Sequence, residues 1–315
     1  MKRIGIDLGG TKTEVAVLGA DHGWLFRHRL PTPSHTYADL LRTIADLVAM
    51  ARAHQDLAPD VPVGVGMPGC LDPLTQRVRG ANTQVLNGER FQHDLATLLQ
   101  CEVRVENDAN CLALSESVDG AAAQAQVVFA VIVGTGCGGG IALNQSVWRG
   151  KNALAGEWGH NPLPWPTAAE LDVPPCWCGQ VGCIETWISG PGFAHDHARV
   201  CGESRQPEAL IAAMRAGEAA ATQSFDRYTN RLARALAQVV NLLDPDVIVL
   251  GGGMSRVPEL YSVLPARMSR YTFTRPIHTP VVPAQHGDSS GVRGAAWLWE
   301  RHLAPPSGIE PESSA

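Results

Sequence analysis

Three cysteines fall within eight residues in Cys176-Trp-Cys-Gly-Gln-Val-Gly-Cys183, and Glu185 follows two positions after the last. Upstream, GEWGHNPLPW carries Glu157 and His160. One imidazole and three thiolates, ordered H-x15-C-x-C-x4-C, form a donor set suited to tetrahedral Zn²⁺. Gly179 and Gly182 let so short a loop wrap around an ion. A thioredoxin-like redox pair would need C-x-x-C beside a βαβ unit, and a disulfide would need an oxidising compartment. With His160, Cys176, Cys178 and Cys183 all acting as ligands, the expected site is closed and structural. Such a clamp would fix Glu157 and Glu185 relative to each other. Two fixed carboxylates accept hydrogen bonds from a polyhydroxy substrate.

Two glycine loops supply a second chemistry. In DLGGTK, Asp7 is followed by Gly9, Gly10, Thr11 and Lys12. Glycines let backbone N–H groups reach phosphate oxygens without a Cβ in the way. Thr11 can add a hydroxyl hydrogen bond, Lys12 a positive charge, and Asp7 can hold Mg²⁺ directly or through water. One such loop reads equally well as an ordinary hairpin turn. GTGCGGG, with Gly134, Thr135, Gly136, Gly138 and Gly139, is a second loop in a matched position, and the recurrence argues for phosphate. LGGGMS, carrying Gly251, Gly252 and Gly253, lacks the spacing of a dinucleotide reader. Asp108 closes VRVEND beside Asn107. It reads either as a general base for a hydroxyl, with Asn107 orienting the substrate, or as a cap for the next helix.

The elements must position these groups. IGIDLG (4–9) and TEVAVLG (13–19) read as strands joined by a Gly9-Gly10 turn; PVGVGMPG (62–69) and VRVEND (103–108) read as two more. VFAVIVGTGCGGGIAL (128–143) repeats the opening strand–glycine turn–strand theme, so a duplicated architecture with a cleft between its halves is expected. Leu40, Leu41, Ile44, Leu47, Val48 and Ala51 predict a helix over 36–54. A long helical stretch is expected over 207–243 and a last helix over 290–302. The Pro/Ser-rich end, 304–315, reads as a disordered tail. Hydrophobic residues at 45% and charged residues at 18% specify a globular chain, and a net charge of −6 argues against a nucleic-acid surface. No signal peptide and no apolar run of membrane-spanning length is read, so the cytoplasm is the expected compartment. In that compartment Cys70, Cys101, Cys111, Cys137 and Cys201 read as plain thiols.

Taken in order, IGIDLGGTKTEVAVL, VGMPGCLDP, RVENDANCLALSE, VIVGTGCGGGIAL, AGEWGHNPLPW, CWCGQVGCIET, VIVLGGGMS and HGDSSGVRGAAWLW resemble the ROK-type sugar kinases of the actin-like, ribonuclease-H-like ATPase superfamily. That resemblance implies an α/β, duplicated ribonuclease-H-like fold with two domains flanking an active-site cleft. The domains would be 1–120 and 121–303, with the last helix packing back on the first. It implies ATP with Mg²⁺, a structural Zn²⁺, phosphate binding by DLGGTK and GTGCGGG, and adenosine binding by LGGGMS. Asp108 matches the catalytic base; Asn107, Glu157, His160 and Glu185 match sugar-hydroxyl contacts, with His160 also a metal ligand. GHNPLPW and ENDANC resemble bacterial fructokinases of the manno(fructo)kinase type, so fructose 6-phosphate is the expected product. The alternatives are a glucokinase or N-acetylhexosamine kinase of the same family and, in another class, a sugar-sensing transcription regulator. A homodimer is the usual state in that family. Cys137, inside the second loop, departs from a bare glycine run; a low-pKa thiol there would be open to oxidation.

Overall fold

The computed structural model describes residues 1–33, 35–172 and 174–299. The tail expected over 304–315, and the end of the last expected helix, lie outside the described residues. Contacts divide the chain into two compact units, Met1–Glu106 with Gln145–Val147 and Val292–Ala315, and Asn107–Asn144 with Trp148–Gly291.

In the first unit, β1 (Arg3–Leu8) buries Ile4, Ile6 and Leu8 on alternate positions and pairs antiparallel with β2 (Lys12–Leu18). The Gly9 N–H donates to the Lys12 carbonyl at 3.0 Å and closes the turn between them. Beyond β2 lies β3 (Trp24–Pro31), whose charged, exposed sequence WLFRHRLP hides its strand character until β2 is there to pair with it. α1 (Tyr37–Gln55) follows; the Thr36 hydroxyl caps it by accepting from the Asp39 N–H, and the apolar stripe from Leu40 to Ala51 is buried. Then come β4 (Val63–Met67), parallel to β1, the short ribbon β5 (Cys70–Leu71) with β6 (Val78–Arg79), α2 (Phe91–Leu99) and β7 (Val103–Asn107). The sheet order is β3-β2-β1-β4-β7. Gly5 and Gly64 are required because the chain's last helix lies directly on β1 and β4. A Cβ at Gly5 would stand 2.2 Å from the Val292 carbonyl oxygen, and one at Gly64 1.8 Å from that of Ala295.

The second unit opens with α3 (Asp108–Asp119), then β8 (Val127–Val133) and β9 (Cys137–Leu143), an antiparallel pair. With β10 (Ser146–Val147), β11 (Val247–Gly251) and β12 (Val281–Pro283) the order is β10-β9-β8-β11-β12, and β8, β11 and β12 run parallel. This repeats the first sheet's design of antiparallel strands followed by a parallel partner. α4 (Ile184–Ile188), α5 (Gly190–Cys201), α6 (Pro207–Arg215), α7 (Ala219–Leu243), α8 (Glu259–Met268) and α9 (Ser290–Trp297) complete the chain. The continuous helix expected over 207–243 is instead α6 and α7. Gly217, at φ 83°, ends the first of them in the left-handed conformation that glycine adopts without strain. Among the described residues no helix is long and apolar enough to cross a membrane.

Glu116, fully buried on α3, locks this unit together. Its Oε2 accepts from the Ala121 and Gln285 N–H groups at 2.8 and 2.9 Å, and its Oε1 from the His286 N–H and Ser290 hydroxyl at 3.1 and 2.8 Å. Four donors use the acceptor capacity of one carboxylate. Glu116→Gln places an NH₂ against two of these donors and is expected to cost about 2–4 kcal/mol. Urea unfolding of the two proteins checks this; equal midpoints would refute it.

Candidate active site and metal centre

The segment from Trp158 to Cys183 folds back on itself through backbone pairs that bring distant donors together. The Leu163 N–H donates to Gly182 O at 3.0 Å, Ile184 N–H to Asn161 O at 2.8 Å, and Cys176 N–H to Gln180 O at 2.8 Å. Gly179 and Gly182 turn the loop with φ of 91° and 72°. The ligand atoms of His160, Cys176, Cys178 and Cys183 consequently all lie within 4.8 Å of one another. Cys178 Sγ stands 3.7 Å from Cys183 Sγ, and Cys176 Sγ 3.6 Å from His160 Nδ1. A tetrahedron with usual zinc–sulfur and zinc–nitrogen bonds has edges of about 3.8 and 3.6 Å. The donor set and its spacing fit Zn²⁺, with Nδ1 as the imidazole ligand.

Glu185, in the first turn of α4, spans two loops. Its Oε2 accepts from the Cys137 N–H at 2.8 Å, next to the turn between β8 and β9, and its Oε1 accepts from the Trp177 indole N–H at 2.7 Å. Glu157 immediately precedes the short 3-10 helix Trp158–His160. Burial raises its pKa above the usual carboxylate value, His160 opposes that rise, and the Glu185 charge adds to it. Asp108 is the first residue of α3. The cap role belongs to Asn107, whose Oδ1 accepts from the Ala109 and Asn110 N–H groups at 2.9 and 3.3 Å. Burial pushes Asp108 up to about 6; its hydrogen bond from Ala109 N–H opposes this, and the Glu157 charge reinforces it. A carboxyl poised there is mostly ionised at neutral pH yet still basic enough to take a proton.

Beside this cluster is a cavity of about 830 Å³, walled by Gly134 and Thr135, the start of α5, α6, and the 3-10 helix Gly253–Arg256. The Gly190 N–H donates to Gly134 O at 2.8 Å and ties the turn to α5. Arg205, Arg215 and Arg256 lie on its wall, each already paired with an acid: Glu203 and Glu218, Glu259, and Asp288 respectively. The volume suits a ligand of nucleotide size.

The chain matches the ROK family over residues 3–302. It is 39% identical to the N-acetyl-D-glucosamine kinase of Pectobacterium atrosepticum over 298 residues, covering 93% of this chain and 97% of that one. This chain belongs to the ROK family. Among solved structures it resembles a ROK hexokinase from Thermus thermophilus, with a TM-score of 0.81, 28% identity and coverage of 94% and 97% of the two chains. It also resembles a ROK family glucokinase from Streptomyces griseus, solved with glucose and AMPPNP, with a TM-score of 0.79, 28% identity and coverage of 95% and 99%. The duplicated α/β arrangement is the ribonuclease-H-like (actin-like ATPase) fold.

Within this ROK chain, Asp108, Glu157, His160 and Glu185 are coupled by charge or contact to at least one of the others, and Gly134, Thr135 and Gly253 line the cavity. Gly138 and Gly139 are strand residues of β9. A Cβ at Gly139 would stand 2.6 Å from both Gly156 O and Trp158 Cδ1, so close packing already demands glycine there. Gly251 ends β11 against Leu112, and Gly252 approaches the Val133 carbonyl. Asp7 to Lys12 lie in the first unit, with Lys12 exposed at the start of β2. The oxidisable thiol expected at Cys137 is corrected: its side chain is buried, and burial, then the Glu185 charge, hold it well above an ordinary thiol. Sequence reasoning missed Trp177 and His195. The first stands between two candidate ligands and donates to Glu185, and the second lines the cavity from α5, away from any motif.

Proposed function

We propose that this chain phosphorylates N-acetyl-D-glucosamine with ATP. The chain is a sugar kinase, a phosphotransferase with an alcohol group as acceptor. The observation that carries the choice of sugar is the 39% identity, across 93% of this chain, to a relative named N-acetyl-D-glucosamine kinase. That supports the alternative reading over fructose. Pocket hydrogen bonding sets such discrimination, and epimeric or acetamido hydroxyl patterns leave no mark on linear motifs.

In this reading Asp108 accepts the proton of the attacking hydroxyl, and Asn107, Glu157, His160 Nε2 and Glu185 hold the other hydroxyls. Proton removal and orientation both favour attack on the phosphoryl group. The cavity beside Thr135 and Gly253 takes the nucleotide. Within the first unit, the Gly9-Gly10 turn, Thr11 and Lys12 offer donors to phosphate oxygens, and Asp7 a carboxylate for Mg²⁺, whose charge would offset that of the phosphates. Zn²⁺ on His160, Cys176, Cys178 and Cys183 would serve as a structural ion and fix the His160 tautomer. Three metal-binding thiolates and five plain thiols fit a reducing, cytoplasmic setting.

A panel of hexoses against ATP tests the proposal. N-acetyl-D-glucosamine is expected to have kcat/KM at least about tenfold above those of glucose, mannose and fructose. Fructose leading the panel would overturn the assignment. No ADP release with any sugar would point to a sugar-sensing regulator on the same scaffold.

A further inference from the structure

Both oxygens of Glu185 are engaged, and the two partners differ in kind. One is the Cys137 N–H, a backbone donor at the second glycine loop; the other is the Trp177 indole, from the residue between two metal ligands. A single hydrogen bond fixes the position of one oxygen but leaves the carboxylate plane free to turn, because the last torsion of glutamate is broad. The second bond sets the plane. An ionised carboxylate offers about four acceptor sites, so two remain for hydroxyls, and their directions follow from that plane.

Trp177 is well placed to hold it. Its neighbours Cys176 and Cys178 are both in the candidate ligand set, which pins the backbone on either side. Its ring meets the His160 ring edge-on, with centroids 5.1 Å apart and planes at 84°. The residue is 60% exposed. Trp177 and Glu185 border one cavity of about 560 Å³, which also reaches Thr135 of the glycine loop.

We propose that Trp177 is a positioning residue that orients Glu185 for sugar hydroxyls, and that the metal centre bears on sugar affinity through this indole. The proposal rests on the reading of Glu185 as a sugar contact. It explains why a closed, non-reacting metal loop sits beside a binding carboxylate: the loop presents a donor at a fixed point.

The test uses the full chain as wild type, Trp177→Phe and Glu185→Gln. Zinc per chain, the KM for each substrate, kcat, and the calorimetric Kd for N-acetyl-D-glucosamine are measured for each. Trp177→Phe keeps an aromatic ring at the position and removes the N–H together with the fused second ring. It is expected to retain zinc, to keep kcat and the KM for ATP within about twofold, and to raise the sugar KM and Kd about tenfold. If Trp177→Phe leaves both sugar constants unchanged while Glu185→Gln raises them, the role of Trp177 is refuted and Glu185 remains a sugar contact. If Glu185→Gln leaves them unchanged as well, both fall. Loss of zinc from Trp177→Phe would also refute the proposal, because Trp177 would then act on the metal loop itself.

Discussion

With Asp108 as the proposed general base, Asp108→Ala is expected to lower kcat by about 10²–10⁴-fold and to retain nucleotide affinity, the range for losing a base while positioning groups remain. On that role, wild-type kcat/KM for the sugar is expected to rise with pH through about 6 and then level, because Asp108 must be ionised to accept a proton. The same displacement has a cost in stability. The folded-state pKa of about 6 lies above the ordinary value of 3.8, so between those pH values the native state holds more protons than the unfolded chain. Stability therefore falls as pH rises through this window, by up to about 3 kcal/mol. Asp108→Asn still accepts the Ala109 N–H through its Oδ1 but cannot ionise. It is expected to be nearly inactive and more stable than wild type at pH 7, with the gain vanishing near pH 4. Steady-state kinetics and urea unfolding at both pH values check this. Turnover within tenfold of wild type, or an Asn variant less stable at pH 7, would remove Asp108 from the role of buried base.

Cys178→Ala is expected to have the other large effect. Taking one thiolate from a four-coordinate site is expected to weaken metal binding more than about 100-fold and to forfeit several kcal/mol of local folding energy. Unfolding should stay local, because the chain before the cysteines has its own anchor. Arg234 on α7, buried, donates to the Pro164 carbonyl at 3.1 Å and to both oxygens of Glu170 at 2.7 and 2.9 Å, and Arg231 donates to Glu170 at 2.7 Å. These bonds also hold Glu170 down to about 2 against the upward push of burial, so the anchor survives across the working pH range. Metal analysis after dialysis, with far-UV circular dichroism, provides the check. A variant that keeps one zinc per chain would remove Cys178 from the ligand set.

The sequence by itself determined the donor chemistry and the repeated strand–turn–strand design. Thiolates, an imidazole and glycines announce their uses by type, and β1–β2 and β8–β9 announce themselves by apolar runs broken at glycine. It did not reveal β3 or β12, since a charged edge strand and a three-residue strand acquire their character only from the partner they pair with. Nor could it separate glycines that face a cavity, such as Gly134, from those that let backbone or side chains approach, such as Gly5, Gly64 and Gly139. Tertiary structure alone decided that Asn107 and not Asp108 caps α3, and that the Cys137 thiol is buried. It also decided that Trp177 reaches Glu185. Burial, hydrogen-bond partners and local charge are properties of neighbours in space, and the residues that set them here are as distant in the chain as Glu116 and Ser290.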